Sequence, residues 1–224
     1  MDPKTQKWYG IVAAAVVIIA TLGWYFAAHN KAVAPTNDTG STTGTSTTGT
    51  ATTTLGGVGV VGMADESTLE KPNLDRPYTP LSTLPKSVRD NNIKLYTTAV
   101  EQLKFNPNGI AYWLQLAQLR KGANDFVGAE EVWVYVTKRW TNDPIAFASL
   151  ADLYAFSLKN STKAVQYWKL AIAADGRVVG NYLALANFQE INMKDKVAAK
   201  ATLEAGLKVN QGNPDLQAAL GQLQ

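Results

Sequence analysis

Trp113-Leu114-Gln115-Leu116-Ala117 is answered 34 residues later by Phe147-Ala148-Ser149-Leu150-Ala151, and 35 residues after that by Tyr182-Leu183-Ala184-Leu185-Ala186. In each stretch an aromatic, a Leu three positions on and an Ala four positions on fall on one face of an α-helix. Each is followed by a second helical segment with a small residue where helices would cross: Ala129, Ala164 and Ala198. Bulky residues come four later in the first two, Trp133 and Trp168, and Thr202 stands at that place in the third. Val136, Ala171 and Ala205 complete the pattern. The same residue classes returning at a fixed period indicate stacked units, each burying its apolar face against the next.

These residues resemble the tetratricopeptide repeat (TPR), whose pattern is W-x2-L-G-x2-Y, then A-x3-F, then A and P. The resemblance covers roughly residues 107 to 210. Ala117, Ala151 and Ala186 replace the Gly, while Arg120 and Gln189 stand where Tyr154 supplies the Tyr. The implied fold is all-α, a solenoid of three helical hairpins with flanking helices. Residues 86–105 read as the second helix of a preceding repeat and residues 214–223 as a further first helix. Asn106-Pro107, Asp143-Pro144 and Asn213-Pro214 pair a capping side chain with a Pro suited to a first helical turn. Asp175-Gly176 reads as a helix stop.

Upstream, Trp8 to Ala28 contains no charge over 21 residues. As a helix it would span ~31 Å, close to the ~30 Å hydrocarbon core of a bilayer. Trp8 and Tyr9 mark one end and Trp24, Tyr25 and Phe26 the other, as two interfacial belts require. We therefore expect a single membrane anchor. Lys4 and Lys7 precede it and Lys31 alone follows closely, so the positive-inside rule places the N-terminus in the cytoplasm and the rest outside it.

From Thr36 to Thr54, 13 of 19 residues are Thr or Ser. They offer little apolar surface against the ~1–2 kcal/mol per residue of backbone ordering entropy. Pro72, Pro77, Pro80 and Pro85 punctuate the stretch that leads into the repeats. The expected organisation is a cytoplasmic N-terminus and anchor (1–30), a disordered linker (31–85) and a helical domain (86–224). This explains why the whole chain is 46% hydrophobic yet only 17% charged.

Several chemistries are excluded or unsupported. The chain has no Cys and one His, which removes thiolate sites, a thiol nucleophile and multi-His metal sites. Gly57-Val58-Gly59-Val60-Val61-Gly62 fits the dinucleotide fingerprint, but no strand–helix unit surrounds it, so no cofactor is expected. Residues 86–224 carry 16 Lys and Arg against 12 Asp and Glu without a long basic run, which argues against nucleic acid. With no nucleophile–base pair, metal cluster or phosphate loop, no enzymatic activity is expected.

The resemblance implies a groove lined by the first helices that binds a protein or peptide. Mapped by period, its residues are Leu114, Gln118 and Lys121; Ala148, Asp152 and Phe156; and Leu183, Asn187 and Ile191. Leu114, Gln118, Ser149, Gly180 and Ala184 occupy the places where chaperone-binding TPR domains hold a terminal carboxylate, so that clamp is not expected. One anchor plus an external repeat domain is similar in arrangement to the ancillary TPR subunit of the bacterial Sec translocon. The expectation is thus a membrane-anchored scaffold or adaptor with partners in the groove and the bilayer at Trp8 to Ala28. The alternative is an assembly factor for an envelope or surface apparatus that acts by self-association as a homo-oligomer.

Overall fold

Eight α-helices follow one another without an intervening strand among residues 69–223, the part of the chain that a computed structural model describes. They are α1 (Lys86–Phe105), α2 (Ile110–Gly122), α3 (Phe126–Arg139), α4 (Pro144–Asp152), α5 (Ser161–Ala174), α6 (Val179–Asn187), α7 (Lys196–Val209) and α8 (Pro214–Gln222). The expected anchor at Trp8 to Ala28, the Thr tract and the Gly57–Gly62 motif lie outside the described residues. Among the described residues no helix is long and apolar enough to cross a membrane.

Helix starts follow from side-chain chemistry. Asp125, Asp143, Asn160 and Asp195 each accept a hydrogen bond from the amide three residues on, at 2.7–3.0 Å. Asn213 caps α8, and Pro144 and Pro214 occupy first-turn positions, where a missing N–H costs nothing. Asn106-Pro107 departs from its expected role. Asn106 ends α1 and its Oδ1 accepts the Asn108 amide at 3.1 Å. The next helix begins only at Ile110, with Gly109 as an N-cap that offers no side chain.

The helices pair as hairpins: α2 with α3, α4 with α5, and α6 with α7, each hairpin also packing on the next. Trp113, Leu116 and Ala117 are buried together with Ala129, Val132, Trp133 and Val136 across the first hairpin. Leu150 and Ala151 meet Ala164 and Trp168 in the same way in the second. Tyr182 and Ala186 pack with Ala199, Leu203 and Leu216 in a smaller cluster.

The second and third hairpins carry one residue more than the first. Leu153–Ser157 after α4 and Phe188–Asn192 after α6 are π-helical turns, with amide-to-carbonyl bonds from Leu158 to Leu153 and from Met193 to Phe188. The carbonyl of Arg120 accepts from the amide of Asp125, five residues on, whereas those of Tyr154 and Gln189 accept from Asn160 and Asp195, six on. A π turn absorbs one inserted residue without ending the helix. Each hairpin then reverses through a left-handed residue: Asn124 (φ 63), Lys159 (φ 56) and Lys194 (φ 60).

The 35-residue spacing between the second and third hairpins holds for their second helices as well. The crossing residue of α7 is Ala199, fully buried, and not the expected Ala198, which is only partly buried. Leu203, not Thr202, holds the place of Trp133 and Trp168, and Gly206, not Ala205, that of Val136 and Ala171. A Cβ at Gly206 would sit 2.9 Å from Cγ of Tyr182 and 3.1 Å from Cδ1 of Leu216. The backbone of α7 therefore approaches its neighbours more closely than any side chain would allow.

Residues 69–85, expected as the end of a disordered linker, are an ordered non-helical strap laid against α1, α2 and α3. Leu69, Leu74 and Tyr78 pack on the main core, and Pro72 and Pro80 are buried. Tyr78 stacks on Tyr96 at 4.3 Å and 8°, while Tyr96 Oη donates to the Arg76 carbonyl at 2.8 Å. The strap covers apolar surface that α1 and α2 would otherwise leave in water.

Candidate functional site

The nine residues mapped by period do not share one environment. Leu114 is 5% exposed and belongs to the core with Trp113 and Leu116, so it presents nothing to a partner. Removing a Leu side chain from water gains ~1.5–3 kcal/mol, which favours the buried placement. Gln118, Lys121, Ala148, Asp152 and Leu183 are half-buried, and Asn187 is exposed. Phe156 and Ile191 are 49% and 53% exposed, which is high for large apolar groups.

Two of the half-buried members, Lys121 and Asp152, make a polar pair. Lys121 Nζ lies 5.9 Å from the centre of the Trp133 ring, so its ammonium rests partly on an aromatic face. Burial pushes the Asp152 carboxyl above the ordinary carboxylate range, and the nearby Lys121 charge offsets this only in part. Asp152 accepts no hydrogen bond among the described residues. A half-buried carboxylate in that condition costs free energy that a hydrogen-bonding partner would recover.

The apolar end is built by the π turns. Phe156 meets Trp168 at 6.4 Å and Phe188 at 6.0 Å, both edge-on, while its outer face is open. Trp168 and Phe188 are themselves buried at 5.1 Å from each other. The extra residue in each π turn thus brings Phe156 and Ile191 to the surface at the ends of α4 and α6. A segment presenting a donor to Asp152 and an apolar side chain to Phe156 and Ile191 would satisfy this surface.

A second polar constellation joins the strap to the first hairpin. Arg120 is 1% exposed; its Nη2 donates to the Asn73 carbonyl at 2.5 Å and its Nη1 to the Gly128 carbonyl at 3.3 Å. Arg76 binds Asp125 through two nitrogens. Burial alone would raise the Asp125 carboxyl, but hydrogen bonds from Arg76 and the Gly128 amide, with the charges of Arg76 and Arg120, hold it below its ordinary value. The equivalents of Arg120 in the other hairpins are also paired. Tyr154 Oη donates to Glu130, and Gln189 Oε1 accepts from Thr202 Oγ1 at 2.7 Å. In the sequence Arg120 is visible only as a departure from the Tyr of the repeat. A cation on a core-facing helix position demands buried acceptors, and that demand is the available signal.

Among the described residues no group of three or more His, Asp or Glu could hold a metal ion. The hairpins of this chain, with a period of 34–35 residues, are TPR-like in arrangement. No protein-family profile matches the chain, and no curated protein matches it. Among solved structures, that of a thermophilic TPR protein from Thermus thermophilus is similar, with 18% sequence identity and a TM-score of 0.45, covering 60% of this chain and 78% of that one. The fold assignment rests on the packing of this chain itself.

Proposed function

We propose that this chain is a membrane-anchored protein–protein interaction scaffold, held by Trp8 to Ala28 and presenting its helical repeats outside the cytoplasm at a cell envelope. Asp152 carries the binding half of that reading: a half-buried carboxylate with no hydrogen-bond donor among the described residues, on the helix that leads to exposed Phe156. TPR-like hairpins generally bind protein or peptide segments, and the mixed surface of Gln118, Lys121, Ala148, Asp152, Phe156, Leu183, Asn187 and Ile191 suits an amphipathic one. The uncharged span and its flanking aromatics support the anchor. The arrangement is similar to that of the Sec-associated ancillary TPR subunit, a likeness of architecture. Pull-down from detergent-solubilised membranes with the full chain tests the proposal. Specific proteins should be recovered with the natural chain and lost with Phe156→Ala plus Asp152→Ala, and recovery that is unchanged by both substitutions would refute the groove.

A further inference from the structure

The second and third hairpins differ at one repeat-equivalent position. In the second, Tyr167 of α5 stacks on Tyr154 at 5.4 Å and 9°, with Phe147 at 6.5 Å. Thirty-five residues later these places are taken by Thr202, Gln189 and Tyr182. Thr202 and Gln189 bond to each other at 2.7 Å, and neither carries the ring that fills the space one repeat earlier. The wall from α7 is Ala198, Ala201 and Ala205, where α5 has Lys163, Gln166 and Leu170. What remains is an open cleft of about 360 Å³ between α5 and α7, floored by α6, with Lys169 on its lining.

The complementary feature is on α1. Phe105, its last residue, is 90% exposed, and Ile93 of the same helix is 46% exposed. Ile93, Thr97, Glu101 and Phe105 recur every four residues and so form one stripe. Neither Glu101 nor Lys169 has an ion-pair partner among the described residues. Glu101 stands ~6 Å before Phe105 along the helix.

We propose that the cleft between α5 and α7 receives Phe105 of a second copy of this chain, with Glu101 of that copy set against Lys169. The ring enters the space that Tyr167 fills within the preceding hairpin, and the opposite charges fix its register. Donor stripe and acceptor cleft are different surfaces, so the contact is head-to-tail and joins copies into a row or a closed ring. The contact is small, which makes it a weak association that operates at high local concentration.

The chain has no Cys, which makes a disulfide test direct. Two differently tagged full chains, one Gln102→Cys, exposed and one turn before Phe105, and the other Ala201→Cys on the cleft lining, are mixed in detergent and oxidised. Val127→Cys, at another exposed position, replaces Gln102→Cys in the control. The Gln102–Ala201 pair should give about tenfold more heterodimer than the control, and Phe105→Ala in the donor should remove that excess. Glu101→Lys should lower that yield, and Lys169→Glu in the accepting copy should restore it. Separately, Thr202→Tyr should fill the cleft from within and abolish association in sedimentation of the chain. Equal yields for test and control pairs, a charge reversal without restoration, or a Thr202→Tyr chain that associates like the natural one would each overturn the proposal.

Discussion

Arg76 and Asp125, 49 residues apart, are joined at two points: Nε donates to Oδ2 at 2.5 Å and Nη2 to Oδ1 at 2.7 Å. The same carboxylate accepts the Gly128 amide at 3.0 Å and thereby starts α3. One side chain therefore both caps a helix and fastens the strap that covers the first hairpin.

Replacing either partner should release the strap unequally. Asp125→Ala removes the cap, the ion pair and the counter-charge near buried Arg120, at a cost of about 2–3 kcal/mol. Arg76→Ala leaves the cap in place and should cost about 1 kcal/mol or less. Gly128→Ala tests the same joint sterically, since its Cβ would lie 2.7 Å from Arg76 Nε. Hydrogen exchange should show faster exchange in strap amides for all three, with α5 and α7 unaffected.

The strap should also loosen in acid. The folded Asp125 carboxyl lies below its ordinary value, so its contribution is complete above the unfolded pKa of ~3.9 and is lost as pH falls through the folded one. Exchange in residues 70–80 should accelerate below about pH 4, and an Asp125→Asn chain should show a much smaller change over that range.

Asp152 has the opposite sign. Its carboxyl is raised by burial, so the charged form weakens the fold above its folded pKa, and the penalty disappears as pH falls below the unfolded value. Asp152→Asn is expected to stabilise the domain by about 0.5–1 kcal/mol at neutral pH, with the gain vanishing near pH ~3 to 4. The same change should weaken partner capture, which separates stability from binding.

The register of the third hairpin is testable at adjacent positions. Gly206→Ala forces a Cβ against Tyr182 and Leu216 and should cost about 1–3 kcal/mol, seen as a lower Tm. Ala205→Ser, one residue earlier and exposed, should stay within about 0.5 kcal/mol. Lys194→Gly, at φ 60, should be neutral or stabilising by up to about 1 kcal/mol.

Trp113, Leu116, Ala117 and their equivalents are legible in the sequence because their packing is local and periodic. Each meets partners within its own hairpin, so spacing along the chain encodes contact in space. In the third hairpin the expected Ala198, Thr202 and Ala205 fall one residue early, 34 residues after Ala164, Trp168 and Ala171. The packed Ala199, Leu203 and Gly206 stand 35 residues after them, and the adjacent, chemically identical Ala198 and Ala199 hide the difference in the sequence. The strap is illegible for a different reason: Asn73, Arg76 and Tyr78 find their partners 18 to 49 residues away, and a Pro-punctuated stretch has no period to read. In the groove, periodicity places Asp152, Phe156 and Ile191 together but does not separate Leu114 from them. The burial of Leu114 depends on how the neighbouring elements close over α2.

Photocrosslinking from single positions of the full chain in cells that express it tests the proposed scaffold most directly. A photoreactive residue at Phe156 or Ile191 should yield discrete protein adducts that one at exposed Val127 does not, and those adducts should fall with Asp152→Ala. Adducts that are absent at both positions, or equal to those from Val127, would contradict a partner in the groove.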